Sequence, residues 1–108
     1  GAPNVVRGGS HSGNISATDI AVSGHLDVLS SDYVPASLLA AVFTLPERIE
    51  GFGLPQAVRL VTSNPARAAS LNDRGEISPD KRADLVQVNY DTGHPVVRRV
   101  WRNGQRVM

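Results

Sequence analysis

Two short extended runs, Asn4 to Arg7 and Leu26 to Leu29, each lead into a loop of small and polar residues, and this repeated order limits the folds open to the chain. The first loop, Gly8-Gly9-Ser10-His11-Ser12-Gly13-Asn14, holds three glycines that let backbone amides come close to a ligand. A helix is expected next: Ser16 can cap it, Asp19 stands three residues on in the capping-box position, and Gly24 can close it. The second run, read as a strand, delivers Ser30-Ser31-Asp32-Tyr33. Strand, loop, helix, strand, loop is the order of a parallel α/β sheet with helices packed on its faces.

Helical spacing continues downstream. A helix is expected from Pro35 or Ala36 to about Leu45, with Leu38, Leu39, Val42 and Phe43 in one apolar stripe. Another begins at Pro55, with Ala57, Val58 and Val61 on one face. It gives way at Asn64-Pro65 to a short helix capped by Asn64, with Ala66, Ala69 and Leu71 turned inward. From Asp73 the pattern changes. Asp73-Arg74-Gly75 and Ser78-Pro79-Asp80 read as turns, Ala83 to Asn89 as a strand, and Val96 to Arg102 as a strand pairing with Gln105 to Met108 through Asn103-Gly104. The chain therefore divides into an α/β part, residues 1–72, and a small β tail, residues 73–108. Two parallel strands leave both sheet edges open, and a three-stranded tail needs a second layer, so the missing partners are expected upstream in a longer parent. Exposed edges of this kind also allow self-association.

Composition excludes several classes. Eleven basic and ten acidic residues give a net charge of +1, which carries no global attraction to nucleic acid or to a membrane surface. Arg98, Arg99, Arg102 and Arg106 form the one basic run, and most of it falls within a strand whose long side chains cover a solvated face. There are no cysteines, so disulfides and thiolate metal sites are both ruled out, and His, Asp and Glu are the candidate ligands. The start, Gly1-Ala2-Pro3-Asn4, has neither a signal-peptide pattern nor an initiator Met. The longest apolar stretch, Leu38 to Phe43, is far too short to span a bilayer. Cytoplasmic residence is the expectation.

Asp32 is the leading candidate for chemistry. It follows an apolar strand at the end where barrel and open-sheet enzymes place working side chains. A carboxylate there can hold a divalent cation and accept a proton from activated water, or it can simply cap the following turn. His11 occupies the equivalent loop after the preceding strand. It can hydrogen-bond a phosphate or donate a proton, with Ser10, Ser12 and Asn14 as neutral donors beside it, or it can be satisfied by turn carbonyls. His25 opens its strand at the end opposite Asp32, and His94 sits in a tail turn; both read as surface residues. A Ser31-His11-Asp32 triad is disfavoured, because adjacent residues at a strand end point apart and no Gly-x-Ser-x-Gly elbow is present. Lys81 and Arg82 read as structural.

The strings Gly1 to Asn14 and Leu29 to Leu39 resemble the C-terminal part of the phosphonate-metabolism diphosphatases of the amidohydrolase superfamily. Val61-Thr62-Ser63-Asn64-Pro65-Ala66, Gly75 to Pro79 and Lys81 to Val86 resemble the closing segment common to many amidohydrolases. The resemblance implies the C-terminal fragment of a (β/α) TIM-like metallohydrolase barrel plus part of a small accessory β domain. In the intact parent it implies hydrolysis of α-D-ribose 1-methylphosphonate 5-triphosphate with release of pyrophosphate, within the carbon-phosphorus lyase pathway. It assigns Asp32 to metal binding and proton shuttling, and His11, Ser12 and Asn14 to a substrate-binding role. The implied cofactor is a divalent metal, expected to be zinc, and the implied partner is a phosphorylated small molecule. The family's His-x-His pair, bridging residue and further metal histidines do not occur in this sequence, so the segment alone is expected to be inactive. Asp80 departs from the pattern, since a glycine is common in that turn.

Overall fold

The computed structural model describes residues 1–2, 26–30, 37–91 and 93–108. They fall into two compact units, Gly1–Val61 and Thr62–Met108. The expected strand Asn4 to Arg7 and the helix from Ser16 to Gly24 lie outside the described residues.

In the first unit, helix α1 spans Ser37–Arg48 and helix α2 spans Leu54–Arg59. The helix α1 runs past the expected end at Leu45. Pro46 removes only one backbone donor, and the Ile49 amide still reaches the Leu45 carbonyl at 3.0 Å. Its buried face is Ser37, Ala41, Val42 and Leu45, so Val42 of the expected Leu38/Leu39/Val42/Phe43 stripe is buried while the other three members are half-buried. On α2 and its end, Ala57 and Leu60 are buried while Val58 is exposed, because residues three apart share a helix face. These residues join Ala2, Leu29 and Phe52 in one core cluster.

The run Leu26 to Leu29 is not a strand: residues 26–30 belong to no ladder. Its backbone groups bond differently. The Leu29 amide donates to the Leu60 carbonyl at 3.0 Å, and the Ser30 carbonyl accepts from the Ala2 amide at 2.6 Å. Leu60 is the C-cap of α2, so Leu29 satisfies a carbonyl that a helix end leaves without an intrahelical partner.

In the second unit, helix α3 spans Ser63–Ala68. Thr62, rather than Asn64, stands at its N-cap, which moves the helix start forward. The helix ends in a Schellman arrangement. The Leu71 amide reaches the Ala66 carbonyl at 2.8 Å, the Ser70 amide reaches the Arg67 carbonyl at 3.1 Å, and Ser70 takes a φ of 59°. That early turn leaves Ala69 and Leu71 exposed, and only Ala66 of the expected inward set is buried. The following loop folds back over α3. A Cβ at Gly75 would lie 2.8 Å from the Ala66 Cβ, and its φ of 101° also demands glycine. Asp80 adopts a φ of 69°, the conformation for which glycine is common at this turn.

Strands β1 (Leu85–Asp91), β2 (His94–Arg102) and β3 (Gln105–Arg106) form an antiparallel sheet in that order. Asn103 and Gly104 join β2 to β3 with φ of 50° and 82°, as the Asn-Gly signal demands. Gln87 pairs with Arg99 and Val88 with Val97, which leaves Arg98 as a bulge residue. The bulge reconciles an awkward pattern. Val97 and Val100 are an odd number of residues apart, yet by register both share the face of Val86 and Val88. Beyond Arg106 the expected strand becomes irregular, with the Val107 and Met108 amides both directed at the Val100 carbonyl. No residue of the three strands is buried.

Opposite effects are expected at the two positive-φ positions around α3. Gly75→Ala should lower stability by about 1–3 kcal/mol through backbone strain and its clash with Ala66. Ser70→Gly should raise it by up to about 1 kcal/mol by relieving the left-handed cap. Urea unfolding of both variants checks the pair.

Candidate functional site

The four residues singled out from the sequence, Asp32, His11, Ser12 and Asn14, lie outside the described residues, as does His25. What the structure defines is the frame on either side of Asp32. Three residues before it, Leu29 is 4% exposed and its amide is tied to the end of α2. Five residues after it, Ser37 is 6% exposed and opens α1. Both of these flanking residues are buried in the first unit. Phe52, Leu45 and Leu60 belong to the same core cluster as Leu29, so its anchor is apolar packing as well as a backbone bond.

The chain's donor chemistry limits what it can hold. Among the described residues no group of three or more His, Cys, Asp or Glu side chains is gathered closely enough to bind a metal ion. His94 is exposed at the start of β2, paired in register with Asp91, which agrees with its reading as a surface residue. A transition-metal site needs about four ligands, and one carboxylate leaves most of that shell to other groups. Among the described residues, no helix is long and apolar enough to cross a membrane.

Several charged side chains of the described loop 72–84 pair with each other: Asp73 with Arg74, Glu76 with Lys81 and Arg82 with Asp84. Arg74 Nε donates to Asp73 Oδ1 at 2.9 Å. That bond, more than the charge itself, holds the Asp73 carboxyl below its ordinary value and the Arg74 guanidinium above its own. Lys81 Nζ donates to the Asn72 carbonyl, and the Arg82 amide to the Asp73 carbonyl at 2.6 Å. Lys81 and Arg82 thus close the loop on itself, consistent with their structural reading. Asp84, which sequence reasoning passed over, belongs to the same set through Arg82. Its signal was an acidic residue between a basic pair and an apolar strand.

Residues 1–108 match the model of the amidohydrolase family over their whole length. The chain belongs to the amidohydrolase family. It is 56% identical over 108 residues to the α-D-ribose 1-methylphosphonate 5-triphosphate diphosphatase of Escherichia coli K12, a match covering 99% of this chain and 29% of that protein. It is 34% identical over 96 residues to imidazolonepropionase of Deinococcus deserti, covering 82% of this chain and 23% of that protein. The crystal structure of an amidohydrolase from Thermotoga maritima MSB8 superimposes with a TM-score of 0.64 at 28% identity, over 83% of this chain and 24% of that one. The chain therefore spans less than a third of the length of each. The sequence resemblance to the phosphonate diphosphatases is borne out, and the mixed helix and sheet architecture agrees with an amidohydrolase neighbour.

Truncating Leu29 in the first unit's core should be costly. Leu29→Ala removes a buried side chain and leaves a cavity beside Leu60, and is expected to lower unfolding free energy by about 2–5 kcal/mol. Urea denaturation gives the value. A change below half a kcal/mol would mean that Leu29 is not packed as described.

Proposed function

We propose that this chain supplies the closing part of a metal-dependent diphosphatase of phosphonate catabolism. On this reading, residues 1–72 carry the last strands and helices of a (β/α) barrel and residues 73–108 the tail of an accessory β domain. The observation that carries it is the 56% identity to the E. coli diphosphatase over nearly the whole chain. The substrate would be α-D-ribose 1-methylphosphonate 5-triphosphate, cleaved by water to the 5-phosphate and pyrophosphate in the cytoplasm. Neither nucleic acid nor a membrane is a partner in this reading.

The proposed roles follow from the chemistry of each side chain. A divalent cation, zinc on this reading, lowers the pKa of water and offsets charge on the triphosphate; this chain would contribute the Asp32 carboxylate to holding it. Asp32 Oδ would accept the proton lost by the attacking water. His11, Ser12 and Asn14 would donate hydrogen bonds to phosphate oxygens, and close amides of the glycine-rich loop would add further donors. Because one carboxylate does not complete a metal shell, the 108-residue chain by itself is proposed to be inactive. A second reading, an amidohydrolase acting on a cyclic amide or ester, is favoured only by the 34% identity to imidazolonepropionase. A non-catalytic module that self-associates through its sheet edges is the third reading, suggested by the exposed outer residues of β1.

Full-length enzyme containing this segment should release pyrophosphate from the ribose 1-methylphosphonate 5-triphosphate, with no turnover of imidazolonepropionate. Asp32→Asn should lower kcat by roughly 10²–10⁴-fold, the usual loss on removing a general base. Full activity in that variant would remove Asp32 from the proposed role, and turnover of imidazolonepropionate alone would favour the second reading.

A further inference from the structure

A two-residue hairpin turn with both central residues at positive φ leaves the amides of those residues outside the ladder, where each needs another partner. Asn103 and Gly104 form such a turn, with φ of 50° and 82°. Both amides are taken by the two residues immediately ahead of β1. Asn103 N–H donates to Asp84 Oδ1 at 2.8 Å, and Gly104 N–H donates to the Ala83 carbonyl at 3.0 Å.

Asp84 is itself held in place. Arg82 Nη2 donates to Asp84 Oδ1 at 3.3 Å, and Arg82 Nε lies 3.1 Å from Oδ2. Arg82 Nε is buried and has no aligned hydrogen bond, so its attraction to Oδ2 is that of an ion pair. The hairpin turn, the entry of β1 and the end of loop 72–84 therefore meet at one carboxylate. The Ala83 carbonyl takes one turn amide, and the Asp84 carboxylate takes the other while also meeting the Arg82 guanidinium.

We propose that Asp84 is a carboxylate latch: a positioning residue that fixes the β2–β3 turn to the entry of β1 through the Asn103 amide and is oriented by Arg82. The latch adds a tie at the turn to the backbone bonds that hold β3 and the residues after it against β2. It also gives a role to Arg82 beyond closing its own loop.

The latch depends on charge with a definite sign. The Asn103 amide first, then Arg82 and Arg74, hold the Asp84 carboxyl below its ordinary value despite some desolvation. A group whose pKa is depressed by folding stabilises at pH above its unfolded value, and that contribution fades as pH falls through the folded one. The latch thus keeps its full strength at neutral and mildly acidic pH and weakens only below the ordinary carboxylate range.

The test is an NMR pH titration of the full 108-residue chain, following the Asn103 amide and its hydrogen exchange. The Asn103 amide resonance should move through a single transition below the ordinary carboxylate range. Asp84→Asn keeps an acceptor but no charge, so that transition should vanish while the amide stays protected. Asp84→Ala should speed exchange at Asn103 by about threefold to tenfold, allowing for solvent exposure, and leave the middle of the β1–β2 ladder unchanged. The proposal is overturned if the Asn103 resonance ignores pH, if its transition persists in Asp84→Asn, or if it shows an unfolded shift at neutral pH. Should Asp84→Ala fail to fold, the wild-type titration and Asp84→Asn decide.

Discussion

The amide of Leu29 bonded to the carbonyl of Leu60 is the contact on which the first unit depends. It joins a segment without secondary structure to the end of α2, where the helix has a carbonyl to offer. Leu29 also sits in the apolar cluster with Leu45, Phe52 and Leu60, so the backbone bond and the side-chain packing hold the same point. The role proposed for Asp32 rests on the likeness to the diphosphatase rather than on this contact. A side chain that must meet a cation and a water molecule works only if its backbone is placed by something rigid. Leu29 and Ser37, described residues on either side of Asp32 in sequence, are both buried in the first unit.

The second unit is held by local devices more than by a deep core. Ala66 is its buried apolar residue among those described, and Gly75 passes so close to it that no side chain fits. Loop 72–84 is closed by backbone carbonyls that accept from Lys81 and Arg82, and the sheet is aligned by a bulge at Arg98. Such an arrangement resists small distortions but leaves apolar side chains such as Val86, at 58% exposed, without cover within the strands.

Turn chemistry was the most legible level of the sequence. Asn103-Gly104 predicted its hairpin because the turn requires positive φ at both positions, and Asp73-Arg74-Gly75 read as a turn, at whose Gly75 φ is 101°. Helix existence was legible from spacing, but the faces were not: Val58 and Phe43 carry the same apolar signal as Leu60 and Val42, and packing alone chooses between them. The bulge at Arg98 was hidden because it breaks the two-residue period that strand reading relies on. Leu26 to Leu29 had the composition of a strand, yet its Leu29 amide bonds a helix end, a choice that composition cannot express. The proposed site was read from position after an apolar run together with family resemblance. Asp84 escaped notice because its partner amide is nineteen residues away in sequence.

Family membership narrows the chemistry, while the role of this segment turns on where one carboxylate points. Anomalous diffraction at a metal absorption edge, from crystals of the full-length enzyme loaded with zinc, tests that directly. An Asp32 oxygen about 2.0–2.2 Å from the ion is the expected result. A complete metal shell with the Asp32 carboxylate turned away from every ion would contradict it.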